Sequence, residues 1–209
     1  MRTLILAMLL GVAAQAATPA SGVDEPPRRG TFVETSLGGF AALGGDVPLS
    51  NLQPYIGLTF GREIGERAAV FASLGIGAVS ASCFQPGPKS CLAADSFGAT
   101  FVEGGASYGF AVGLRSLLSL KMVAGFTDLS PGPVRDGPAT PTQSVPNHLP
   151  GFHLGGGASL DYHTHLDHFA VGIDALLRTT LARYTAAAGN SQTLTIPSLA
   201  VMPRIRYVF

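Results

Sequence analysis

The stretch that decides the fold is Arg204-Ile205-Arg206-Tyr207-Val208-Phe209, the last six residues. Residues two apart in a strand share a face, so Ile205, Tyr207 and Phe209 make one apolar, aromatic stripe. Arg204 and Arg206 fall on the other face. A strand in water rarely exposes a whole Phe-Tyr stripe, but a strand whose outer face meets lipid has reason to. The stretch predicts the closing strand of a transmembrane β-barrel, with both arginines turned inward. That sets the solvent and reverses the usual sense of inside and outside.

The front of the chain agrees. Arg2 supplies a positive start, Leu4 to Ala14 is an apolar core, and Ala14-Gln15-Ala16 is an A-x-A cleavage site. This core is 11 residues long, too short for a helix that spans a bilayer, which needs roughly 20. Residues 1–16 read as a signal peptide, the alternative being a retained N-terminal anchor. Residues 17–29, rich in Pro, Gly and charge, read as a flexible periplasmic leader, and 30–209 as the barrel.

Composition narrows the class further. Formal net charge is zero, so no nucleic-acid partner is indicated. Charged residues make up 12% of the chain, about half the roughly 25% of ordinary globular proteins. No later apolar run reaches transmembrane-helix length, and there are 27 glycines. Only helices and closed barrels satisfy every backbone polar group in lipid. The sequence therefore predicts an all-β fold, an antiparallel eight-stranded transmembrane β-barrel.

Eight alternating segments can be marked: 31–43, 55–63, 69–81, 97–112, 118–128, 152–163, 169–183 and 194–209. Their apolar positions, such as Ile56, Leu58 and Phe60, are assigned to lipid. The intervening Gly57, Gly75, Gly77, Gly105, Gly109, Gly155 and Gly157 are assigned to a narrow lumen. Long and short connections alternate, as in outer-membrane barrels. The longest connection, Leu129 to Pro150, holds six prolines. Pro197 and Pro203 sit inside the last segment, where each removes a ladder donor. They are expected to break its ladder with the first strand.

The inward register also carries charge. Glu34, Glu63, Glu103, Asp161 and Asp174 face Lys121, Arg178, Arg204 and Arg206. Opposite charges in a cramped interior can pair, giving a salt-bridge network that plugs the lumen. The competing reading is a narrow path for a solute or proton. His153 is an inward histidine and is assigned to the same network.

His163, His165 and His168 cluster at the third tight turn, beside Asp161 and Asp167. The His-x-His spacing can chelate a metal. A polar turn at the periplasmic headgroup level is the preferred reading, and no metal or other cofactor is assigned. Ser159 with His153 or Asp161 is a nucleophile and base that could be drawn. No strained nucleophile turn, nucleotide loop, EF-hand or paired CxxC accompanies it, so no enzyme is expected. Cys83 and Cys91, with seven residues between them, would meet an oxidising compartment and are expected to pair. Free thiols are the alternative.

Together these features resemble small eight-stranded bacterial outer-membrane proteins of the OmpA or OmpX type, over roughly Gly30 to Phe209. Ile205, Tyr207 and Phe209 resemble the C-terminal assembly signal of that class. A fainter likeness is to the barrels of myxobacterial gliding motility, for which no diagnostic motif is matched. The resemblance implies outer-membrane lipids as surroundings, both termini in the periplasm, and the barrel-assembly machinery as a partner of the last strand. It is specific for architecture and not for role. A structural or interaction protein is expected, in an envelope or motility complex, engaging an unknown envelope or extracellular protein through its loops. A narrow pore, a lipid-modifying enzyme and a soluble secreted β-protein are the alternatives.

Overall fold

Among the described residues, the computed structural model has nine strands: β1 (Thr31–Ala42), β2 (Ser50–Asn51), β3 (Gln53–Ile64), β4 (Ala68–Ala81), β5 (Ser96–Ala111), β6 (Ser116–Ser130), β7 (Leu149–His163), β8 (Phe169–Thr185) and β9 (Ser191–Val208). The structure describes residues 30–47, 49–65, 67–81, 96–130, 148–166, 168–185 and 191–209. The expected signal peptide and leader, Cys83 and Cys91, Asp167 and most of the longest connection lie outside the described residues.

Each of the eight long strands pairs with two antiparallel neighbours. β1 pairs with β3 and β9, and β4 pairs with both β3 and β5, so the sheet closes on itself. Closure leaves none of the long strands at an open sheet edge, as a barrel in lipid requires.

The departures from the expected elements are local. The polar connection after β1 contains the two-residue β2, which extends β4's ladder at Ser80 and Ala81. Leu129 and Pro150 are strand residues rather than loop: Leu129 pairs with Leu149, and Pro150 with Asp128. Ser191 and Gln192, expected in a loop, pair with Thr185 and Tyr184. Alternation stops being readable at strand ends, where polar and apolar residues meet both water and headgroups.

The two prolines do less than expected. The β1–β9 ladder runs from Phe32–Val208 to Ser36–Arg204, omits the pairs at Pro203 and Met202, and resumes at Gly39–Val201 in unchanged register. Both prolines pair with β8, at Ile173 and Thr179, and the Pro197 carbonyl accepts from the Leu43 amide at 2.7 Å. A proline removes a donor and not an acceptor, so the strand stays continuous while the seam loses bonds locally.

Burial alternates along the strands as one face turns to the lumen. The outer face is apolar: Ile56, Leu58, Phe60, Leu120, Met122, Phe126, Leu154 and Ile173 are exposed. Tyr108 with Phe110, and Phe169 with Tyr207 and Phe209, form aromatic pairs toward the tight-turn end. Phe126 and Phe152 pair farther toward the other end. An exposed apolar band with aromatic borders is the surface a barrel presents to a bilayer.

The lumen is filled in layers. Near the long connections, Phe40, Val79, Phe97, Phe101, Leu129, Leu149, Leu194 and Ile196 belong to one buried cluster. Near the tight turns, Phe32, Ala69 and Val208 form another. Inward glycines make room for the rings. A Cβ on Gly75 would fall on the Tyr55 hydroxyl, and one on Gly61 would fall on the Phe32 ring.

Candidate functional site

Between these two apolar layers lie the inward charges. Period-two geometry places them: Glu34 shares β1's inward register with Phe32, and Arg204 and Arg206 share β9's with Val208. Closure then brings strands far apart in sequence face to face across a small lumen.

Arg204 is the centre of the larger network. Its Nη1 donates to Glu34 Oε2 at 2.6 Å, and its Nη2 donates to both Asp161 oxygens at 2.6 and 2.5 Å. Its Nε lies 3.0 Å from Asp174 Oδ1 as an ion pair without hydrogen-bond geometry. Lys121 Nζ donates to Asp174 Oδ2 at 2.7 Å and stands 3.8 Å from Glu34 Oε2. Arg206 pairs with Glu34 through Nε, at 2.5 Å, and through Nη2. Its Nη1 lies 3.6 Å from Glu63, and its guanidinium sits over the Phe32 ring. One guanidinium facing three carboxylates uses the planar fork of arginine, which a lysine lacks.

A second network lies nearer the long connections. Glu103 accepts from Arg178 Nε at 2.9 Å and Nη2 at 2.7 Å, and from Ser73 Oγ at 3.0 Å. Arg178 Nη2 also donates to the Tyr55 hydroxyl at 3.1 Å, and its guanidinium lies 4.8 Å from the Phe101 ring centre. His153 Nε2 is 2.9 Å from Glu103 Oε2, and its Nδ1 is 2.7 Å from Thr127 Oγ1. Arg178, His153 and Asp161 are each 1% exposed or less.

The charged residues of the lumen register are thus divided between two networks, with Glu63 at the periphery of the larger. The aromatic lining formed by Phe40, Tyr55, Phe71 and Phe101 was not part of the sequence expectation. Its signal was present, since Tyr55 shares parity with Gly57, and Phe101 with Glu103. Reading inward positions as glycine or charge passed over them.

The remaining candidates separate. His163 is buried on the lumen side, whereas His165 and His168 are exposed. His168 adopts φ 88° and its Nδ1 lies 2.8 Å from the Val208 carbonyl. The neighbouring turn therefore fastens the end of β9. Among the described residues no three His, Cys, Asp or Glu side chains gather as a metal site. Ser159 and His153 do not form a dyad: both His153 nitrogens are occupied by Thr127 and Glu103, and Ser159 Oγ is buried without a hydrogen-bond partner. Ile205 and Phe209 are exposed on the outer face, where Tyr207 packs edge-on against Phe169 and Phe209.

A closed antiparallel ring, an apolar outer belt and a charged lumen define a small eight-stranded outer-membrane β-barrel. The comparison with Neisserial surface protein A agrees on the fold. Neisserial surface protein A superimposes with a TM-score of 0.60 at 10% identity, over 86% of this chain and 97% of that one. Ail of Yersinia pestis gives 0.46 at 14% identity, over 85% and 99%. A major outer membrane protein of Thermus thermophilus gives 0.48 at 10% identity, over 86% and 99%. No protein-family model and no curated protein sequence matches the chain.

Proposed function

We propose that this chain is a non-enzymatic outer-membrane barrel with a closed lumen, whose long connections serve as interaction surfaces on a rigid scaffold. The observation that carries the reading is the layering of the lumen. Buried ion pairs are held between an aromatic cluster at one end and Phe32, Ala69 and Val208 at the other. A path for ions needs wet, exchangeable polar groups along its whole length. Here the charges are engaged with one another, and both flanking layers are apolar. The tight turns and both chain ends would face the periplasm. Ile205, Tyr207 and Phe209 would engage the assembly machinery.

Planar-bilayer recording tests closure. The reconstituted barrel is expected to give no discrete single-channel steps at physiological salt. Regular steps would establish the narrow-pore alternative instead. A second experiment addresses the connections. Removing residues 133–145 is expected to leave heat-modifiable migration on gels intact and to abolish co-purification of any envelope or extracellular protein. Loss of heat-modifiability would place that segment in the fold rather than in recognition.

A further inference from the structure

The two ionic networks are not in direct contact through any bond named above, yet they share a wall. A pocket of about 30 Å³ lies between them. Glu34, Lys121 and Asp174 of one network line it, as do Glu103, Arg178 and Tyr55 of the other. A water molecule needs roughly 10–15 Å³ of such space, so there is room for about two.

A second observation is the chemistry of the lining. Ser36, Tyr55, Thr59 and Ser73 add hydroxyl groups to the charged side chains around the pocket. A hydroxyl can both donate to a water and accept from one.

We propose that this pocket is a built-in hydration site, whose one or two water molecules bridge the Arg178–Glu103 network to the Lys121–Asp174–Glu34 network. The wall chemistry selects the guest. A small anion would meet three carboxylates, and a small cation would meet Lys121 and Arg178. Water donates and accepts, so it alone suits a wall of both signs. The consequence is that the lumen's charges form one coupled unit rather than two independent plugs.

Two measurements on the intact barrel test this. Val123 also lines the pocket, and Val123→Leu or Val123→Ile adds one methylene there. Filling a dry void stabilises a fold, whereas displacing a bonded water leaves polar groups unpaired. Both variants are expected to lower the folding equilibrium constant at least about fivefold. An unchanged or raised constant would overturn the proposal.

Where a variant fails to fold, the native barrel decides in nanodiscs. Water-to-protein cross-relaxation is expected at Gly57, which also lines the pocket. Its absence would refute hydration. The inference rests on the closed-lumen reading only in that the guest is small. Bilayer recording can fail closure while the cross-relaxation stands, and the reverse is equally observable.

Discussion

Arg204→Met is expected to lower the unfolding free energy of the barrel by about 3–5 kcal/mol, the cost of removing one partner from a buried ion pair. The reason is geometric. Arg204 is 3% exposed and faces Glu34, Asp161 and Asp174 at once. Methionine fills much of the same volume, so the loss is electrostatic rather than a cavity. Glu34 and Asp174 would be left with Lys121 and Arg206, and the Asp161 carboxylate would lose the cation that holds it. Arg204→Lys is expected to recover only part of the loss, because an ammonium cannot bridge three partners with one plane. Adding Asp161→Asn to Arg204→Met should restore about 1 kcal/mol or more by removing the orphaned charge. Urea unfolding in lipid vesicles followed by circular dichroism reads all three; there is no tryptophan to report by fluorescence. A change within about 0.5 kcal/mol for Arg204→Met, the range of an ordinary surface substitution, would show that the network carries no net stability.

Met122→Arg is expected to cost about 2–4 kcal/mol in a bilayer, because Met122 stands midway along β6's outward run from Leu118 to Phe126. It is 74% exposed. At an equally exposed position in water the same change would fall within about 0.5 kcal/mol. The substitution therefore reports on the solvent and not on packing. Met122→Leu is the control and should be near neutral. Equal stability of the arginine variant and the wild type in vesicles would mean that this face does not meet hydrocarbon, and the membrane assignment would fall with it.

The alternation of single segments was legible before any coordinates. Ile56, Leu58 and Phe60 lie outward and Gly57 and Gly61 inward because strand parity is local, fixed by the pleat itself. The strand ends were less legible. Leu129 and Leu149 flank a proline-rich stretch, yet they pair, since long-range register outweighs local composition there. The prolines of β9 were legible as a defect but not in size. Only the register of both neighbouring strands shows that the ladder with β8 continues past Pro197 and Pro203.

Parity also marked Glu34, Glu103, Asp161, Asp174, Lys121, Arg178, Arg204 and Arg206 as one inward set. It could not say which would meet. Glu34 and Arg204 are 170 residues apart and bond at 2.6 Å. Glu103 and Arg178 are 75 apart and form a separate fork. Partner choice depends on stagger between strands around the ring, which no single strand encodes. The position of Ser159 illustrates the same limit. It lies two residues from Asp161 and on its face, yet its hydroxyl has no bond while Asp161 is held by Arg204.

The sequence by itself determined which solvent each face meets, because alternation with period two is written residue by residue and the closing Ile205, Tyr207 and Phe209 stripe requires an apolar surrounding. Tertiary structure alone decided the rest: that Phe40, Tyr55 and Phe101 pack together in the lumen, that the charges split into two networks, and that a pocket lies between them. Those features arise from the shear and curvature of the closed sheet, which set the height at which each inward side chain meets its neighbours across the barrel.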